Sequence, residues 1–127
     1  MAIAVALLIG MSASGMGRIE ALSQIETGDN DGCIGPDMER GRTQISPAVC
    51  VEYHIDPARL VEKAYCIAWT EKILSDRISR FSTSHRRQPS DKEIYLLWHR
   101  PGRVDNPTRR ESERAQRFAN LVEINSK

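Results

Sequence analysis

Residues 24–30 are Gln24-Ile25-Glu26-Thr27-Gly28-Asp29-Asn30, and the rest of the chain is organised around this stretch. Apolar residues recur at helical spacing from Ile19 to Ile25, which predicts a short amphipathic helix. Gly28 follows directly, and glycine is the usual residue just past a helix C-terminus because it adopts positive φ without steric cost. The pattern therefore places Glu26 in the last turn of an apolar helix.

The Glu26 carboxyl is expected to hold its proton more tightly than a free glutamate does. A helix C-terminus carries partial negative charge, and the apolar face of the helix desolvates the group, so both effects raise its pKa. A carboxylic acid that stays protonated near neutral pH is the general acid that glycosidic bond cleavage requires. A solvated glutamate at a frayed helix end fits the same position, so the residue alone does not decide between the two interpretations.

A polar, glycine-rich segment follows, and the residue types of positions 28–46 favour turns. At most, a two-stranded wing is predicted there, around residues 33–34 and 43–45. Ser46-Pro47 then has the N-cap and first-turn residues of a short helix that we expect to end near Tyr53.

The longest helix is predicted over residues 57–81, opened by Asp56-Pro57, and we expect it to be the central helix of the core. Two adjacent apolar stripes indicate burial over a broad arc. The first comprises Leu60, Ala64, Ile67, Leu74, Ile78 and Phe81, and the second comprises Val61, Tyr65, Trp69 and Ile73.

Two further helices begin with capping-box sequences. Ser90-Asp91-Lys92-Glu93 precedes the apolar run 94–98, and Thr108-Arg109-Arg110-Glu111 precedes a final helix over about 109–124. The chain is therefore predicted to be mainly α, with one domain over residues 17–124, a tail over 125–127, and at most a short β-hairpin after the first helix.

Three segments resemble signatures of the lytic transglycosylase branch of the lysozyme-like superfamily, and they occur in that family's order over roughly residues 18–122. Residues 26–30, Glu-Thr-Gly-Asp-Asn, resemble its Glu-Ser-Gly-x-Asn motif, and residues 41–47, Gly-Arg-Thr-Gln-Ile-Ser-Pro, resemble its Gly-x-x-Gln-x-x-Pro motif. Residues 95–102 look like its late Ala-Tyr-Asn-x-Gly segment, with Trp98 and His99 in place of Tyr and Asn. The resemblance implies a small α+β lysozyme-like fold around one long helix.

The resemblance also implies that the chain cleaves peptidoglycan between muramic acid and glucosamine residues, without metal or cofactor. Glu26 would serve as general acid and then as general base. The residues implied to bind substrate are Gln44, Trp98, His99, Asp29 and Asn30.

Three of the implied site residues, Gln44, Trp98 and His99, also allow other interpretations or would affect Glu26. The Gln44 amide could instead tie the wing to the helix. Trp98 keeps an aromatic wall but lacks the phenolic hydroxyl that is thought to position the acid in the family. A charged His99 would lower the pKa of Glu26 and oppose the acid role.

Two alternatives to a lytic transglycosylase remain open. A lysozyme-like hydrolase needs a second carboxylate, and Asp29, Asp31, Asp37 and Glu39 are all available in the loop after Glu26. A catalytically inactive glycan-binding module would keep the same scaffold, and the departures at Trp98 and His99 are compatible with it.

Length and charge exclude several other classes. The 127 residues fit a single domain, expected to be monomeric, and the net charge of +1 implies no bulk attraction to nucleic acid or membranes. The basic residues of 86–117 are interleaved with acids, which argues against a nucleic-acid-binding surface.

The N-terminal segment, residues 1–16, resembles a secretory signal or its truncated remnant. An apolar run over residues 2–9 is followed by small residues, although no Lys or Arg precedes Arg18. The run is too short to span a membrane. We therefore expect a secreted or periplasmic protein.

The three cysteines are too few and too unevenly spaced for a zinc site. Cys33 and Cys50 are the only pair considered for a disulfide, and Cys66 is expected to be a small buried residue in a helix. A cysteine nucleophile with His54 or His99 as its base has no local signature.

Overall fold

The computed structural model describes residues 17–125 and is mainly helical, as predicted. The predicted signal segment, residues 1–16, lies outside the described residues. Five α-helices are present in the described part: α1 (17–27), α2 (Pro47–Tyr53), α3 (Lys63–His85), α4 (Asp91–His99) and α5 (Arg109–Asn125). None of these helices combines the length and apolar character needed to cross a membrane.

The predicted caps set the starts of α2, α4 and α5. Ser46 Oγ accepts the backbone N–H of the third residue of α2. Ser90 and Glu93 form the reciprocal capping box before α4, with both hydrogen bonds present. Thr108 and Glu111 make the same pair of bonds before α5, at 3.1 and 2.8 Å. Each cap satisfies backbone N–H groups that have no partner within the first helical turn.

Helix α4 lies in the middle of the core, packed against both α3 and α5. Its residues 94–98 are buried without interruption, and Tyr95 is fully inaccessible to solvent. A helix that is apolar on all sides needs neighbours around it. The short α4, and not only the long α3, is therefore a central element.

The long helix predicted over residues 57–81 is wrong at both ends. Pro57–Val61 forms a 3₁₀ turn capped by Asp56, and α3 begins only at Lys63 after Glu62 adopts an extended conformation. The break buries Leu60 completely and leaves Val61 exposed. At the other end, no residue interrupts the helix before Arg86, which has φ 58°, so α3 continues to His85.

The buried face of α3 also differs from the predicted stripes. Ala64 is exposed, and Trp69 and Ile78 are only partly buried. The residues that face the core are Cys66, Thr70, Ile73, Leu74 and Phe81. Cys66 and Thr70 are two of these five buried residues, and the apolar stripes predicted from the sequence included neither of them.

The wing after α1 contains isolated bridges and no extended strand within the described residues. Arg40 pairs antiparallel with both Ile34 and Ile45, in place of the predicted pairing between residues 33–34 and 43–45. Positive φ at Gly41 (85°) and Gln44 (62°) turns the chain too tightly for a regular ladder.

All three cysteines are free thiols, so the considered disulfide between Cys33 and Cys50 is not formed. Cys33 lies in the wing, whereas Cys50 belongs to α2 and is buried at 4% exposure. Cys66 is fully buried in α3 as predicted, and its Sγ lies 3.4 Å from Thr43 Oγ1.

Candidate active site

A cleft of about 250 Å³ opens where the end of α1, the wing, the start of α2 and the end of α4 meet. Polar and charged side chains form most of its wall. The residues that line it are Glu26, Asp37, Glu39, Gln44, Ile45, Ser46, Val49, Arg77, Trp98, His99 and Arg100.

Glu26 lies in the last turn of α1, as the sequence predicted. Gly28 has φ 63°, and its N–H donates to Gln24 O at 3.0 Å, while the N–H of Asp29 donates to Ser23 O at 3.1 Å. These bonds end the helix in the left-handed C-cap geometry that glycine favours. The Glu26 side chain is only 11% exposed at the cleft wall.

Three side chains converge on one oxygen of the Glu26 carboxyl group. The Tyr95 hydroxyl donates to Oε1 at 3.3 Å, and His99 Nδ1 and Arg114 Nη2 each lie 3.8 Å from the same atom. Arg114 Nη2 also donates to Ile25 O, which ties α5 to the end of α1. All three contacts involve Oε1 of the carboxyl group.

The pKa of Glu26 is raised, which confirms the predicted direction. Burial is the largest cause, and the nearby Glu39 carboxylate adds to it, whereas Arg114 and the Tyr95 hydrogen bond act in the opposite sense. The desolvation that the sequence suggested therefore outweighs the stabilising contacts on the carboxylate.

His99 does not supply the opposing charge that the sequence suggested. Burial and the positive charge of Arg114 both lower its pKa, so the imidazole is neutral near neutral pH. Its ring stacks on Tyr95, with centroids 5.5 Å apart and planes 14° from parallel. His99 thus supports the phenol that contacts Glu26.

The phenolic hydroxyl that contacts Glu26 comes from Tyr95, and not from position 98. Trp98 was matched to the family's tyrosine, but its Nε1 donates to Thr43 O at 2.9 Å and the side chain is 8% exposed. Trp98 therefore forms part of the cleft wall and holds the wing. Tyr95 lies three positions earlier on the same face of α4, a relation that helical spacing could have revealed.

Gln44 lines the cleft and also ties the wing together. Its Nε2 donates to Gly41 O at 3.0 Å and to Cys33 O at 3.3 Å. Both acceptors lie in the wing itself, so the alternative in which the amide ties the wing to the helix is not what these bonds show. Its Oε1 makes neither of these bonds.

Asp29, Asn30 and Asp31 do not belong to the cleft wall. Asp31 makes two hydrogen bonds to Arg42, at 2.7 and 3.1 Å, and Asp29 lies 3.8 Å from the same guanidinium. Asn30 Oδ1 accepts the N–H of Gly32. These residues stabilise the loop after α1, and the substrate contacts implied for Asp29 and Asn30 are not supported by their position.

Sequence reasoning did not select Tyr95, Arg77 or Arg114 for the site. Arg77 and Arg114 reach it from α3 and α5, and no local motif marks either residue. No cluster of three or more His, Cys, Asp or Glu side chains in the described part of the chain is arranged to hold a metal ion. Comparison with family models, curated proteins and solved structures returned no match.

Proposed function

We propose that this chain is a lysozyme-like lytic transglycosylase that cleaves the muramic acid–glucosamine bond of peptidoglycan, with Glu26 as its single acid/base. The supporting observation is the Glu26 carboxyl itself. It is nearly buried at the wall of a cleft, it has a raised pKa, and three contacts hold it through Oε1 alone. The three sequence motifs that resemble the family support the same assignment.

In the first step, protonated Glu26 gives its proton to the glycosidic oxygen as the bond to the muramic acid carbon breaks. The carboxylate formed is stabilised by the Tyr95 hydroxyl and the Arg114 guanidinium. In the second step, the carboxylate accepts the proton of a hydroxyl on the muramic acid. The oxygen of that hydroxyl bonds to the carbon whose glycosidic bond was broken, which closes an internal anhydro ring. Glu26 is protonated again at the end, so no second carboxylate is needed.

The substitution Glu26→Gln tests this role. It keeps the shape of the side chain and removes the proton that is transferred, so we expect loss of fragment release from purified sacculi with the fold and glycan binding retained. Glu113→Gln is the matched control, because Glu113 is an exposed glutamate of α5 paired with Arg109. Unchanged turnover in the Glu26 variant would contradict the proposal.

A hydrolase is the second candidate, because Asp37 and Glu39 line the same cleft as Glu26. Of the four loop carboxylates considered, these two lie at the cleft, whereas Asp29 and Asp31 are engaged with Arg42. Mass spectrometry of the released fragments separates the two reactions. Anhydro ends support the lytic reaction, and reducing ends together with inactivity of Asp37→Asn or Glu39→Gln support hydrolysis.

The proposal includes export, because peptidoglycan lies outside the cytoplasmic membrane, and it treats the protein as a secreted or periplasmic monomer. A folded sample that binds sacculi but releases no fragments would instead support an inactive glycan-binding module.

A further inference from the structure

Arg77 lines the cleft and is held in place by hydrogen bonds to the end of α4. It extends from α3, is only partly exposed, and its Nη1 donates to the carbonyls of Leu97 and Trp98, both at 2.9 Å. Its guanidinium lies 5.5 Å from the centre of the Trp98 ring. The side chain is therefore anchored in one position before any ligand binds.

The two carbonyl bonds use Nη1 alone. They leave Nε and Nη2, the adjacent donors that match a carboxylate in bidentate geometry. Among residues 17–125, no carboxylate forms an ion pair with Arg77 or with Arg100, which lines the same cleft. A partly buried guanidinium is costly to desolvate, and the charge of Glu52 acts on Arg77 without an ion pair, so an anionic ligand in direct contact would offset more of that cost.

We propose that Arg77, assisted by Arg100, forms a subsite for a carboxylate of the glycan. This inference rests on the proposed function and adds substrate selectivity to it. In peptidoglycan, the carboxylate belongs either to the lactyl group of muramic acid or to the peptide attached to that group. Glucosamine polymers of the chitin type have neither, so the subsite would distinguish the two glycans.

The test compares binding of three oligosaccharides of equal length to the Glu26→Gln protein, so that no turnover occurs during titration. The first is a neutral N-acetylglucosamine tetramer, the second an alternating glucosamine–muramic acid tetramer without peptide, and the third the same tetramer with its peptides. We expect one of the anionic ligands to bind at least about tenfold tighter than the neutral one, as a charge-assisted bidentate contact provides.

The Arg77→Gln substitution is then added, with Arg100→Gln as a second variant whose side chain makes none of the helix-bridging bonds. Loss of the anionic preference with unchanged binding of the neutral tetramer supports the subsite. If Arg77 has only a structural role, its substitution should weaken the binding of all three ligands equally, and that result would overturn the proposed subsite. Arg117→Gln, an exposed arginine of α5 outside the cleft lining, is the control.

The three ligands also identify the source of the carboxylate. If the tetramer without peptide already binds more tightly than the neutral tetramer, the carboxylate belongs to the lactyl group. If only the tetramer with peptides binds more tightly, the carboxylate belongs to the peptide. Equal affinity for all three, or a preference that survives both arginine substitutions, would refute the inference. Absence of fragment release by the unmodified protein would refute the proposed cleavage and leave the binding result unaffected.

Discussion

The Tyr95→Phe substitution tests how the Glu26 carboxyl is held. It removes one hydroxyl that donates to Glu26 Oε1 at 3.3 Å and keeps the buried ring that stacks on His99. Tyr95 is fully buried, so the phenyl ring of the variant fills the same space. The change is therefore confined to the hydrogen bond.

The expected cost follows from the geometry of that bond. A hydrogen bond of this kind contributes about 0.5–1.5 kcal/mol, and the 3.3 Å length favours the lower part of that range. The bond stabilises the carboxylate that forms as the proton leaves, so kcat/KM should fall by roughly two- to fivefold. Loss of the bond also removes an influence that lowers the pKa of Glu26. The alkaline limb of the rate profile, where the acid loses its proton, should accordingly move to higher pH.

The assay is fragment release from purified peptidoglycan as a function of pH, with circular dichroism to confirm folding. Tyr53→Phe is the matched control, because Tyr53 also donates to a carboxylate, Asp76, at 2.8 Å but lies outside the cleft lining. The control should leave both the rate and the pH limb unchanged. The reasoning is refuted if Tyr95→Phe is folded and its alkaline limb does not move, or if Tyr53→Phe produces the same shift.

Two further predictions concern stability. Gly41→Ala should lower the free energy of unfolding by about 2 kcal/mol or more, because Gly41 has φ 85° and an added Cβ would lie 2.8 Å from the Leu60 carbonyl oxygen. Gly102 has open space around it, so Gly102→Ala should change the free energy of unfolding by less than about 0.5 kcal/mol. Urea titration of both variants measures the two values. Glu93→Ala should cost about 1–2 kcal/mol at neutral pH, since it removes both the acceptor of the capping box and the ion pair with Arg87. The hydrogen bonds from Arg87 are the main reason that the pKa of Glu93 falls to about 2, so its contribution is present above pH 4.5 and is lost as the pH falls toward about 2. Unfolding measured over this range should depend less on pH in the variant, and an equal dependence would contradict the assignment.

Local features of the sequence determined the starts of α2, α4 and α5 and the end of α1. Ser46, Ser90 and Thr108 cap their helices through bonds that span three residues, and Gly28 ends α1 by adopting positive φ. These interactions depend on residue type and short separation, so they can be read without knowledge of the fold. The helical class and the position of Glu26 follow from them.

The sequence was less informative where a buried residue depends on distant neighbours. Leu60 is buried because the chain breaks at Glu62 and packs against the backbone of Gly41, a contact between segments about twenty residues apart. The spacing of apolar residues predicted a continuous helix there, because that spacing contains no information about contacts between distant segments.

The composition of the site was decided by the tertiary structure. Tyr95 and Trp98 lie on one face of α4, and only the angle at which α4 packs determines that Tyr95 reaches Glu26 while Trp98 bonds to Thr43. Arg114 arrives from the last helix. The sequence by itself thus placed Glu26 at the end of α1, through bonds within one helical turn, whereas Tyr95 and Arg114, which contact its carboxyl, come from helices whose relative orientation only the packed core defines.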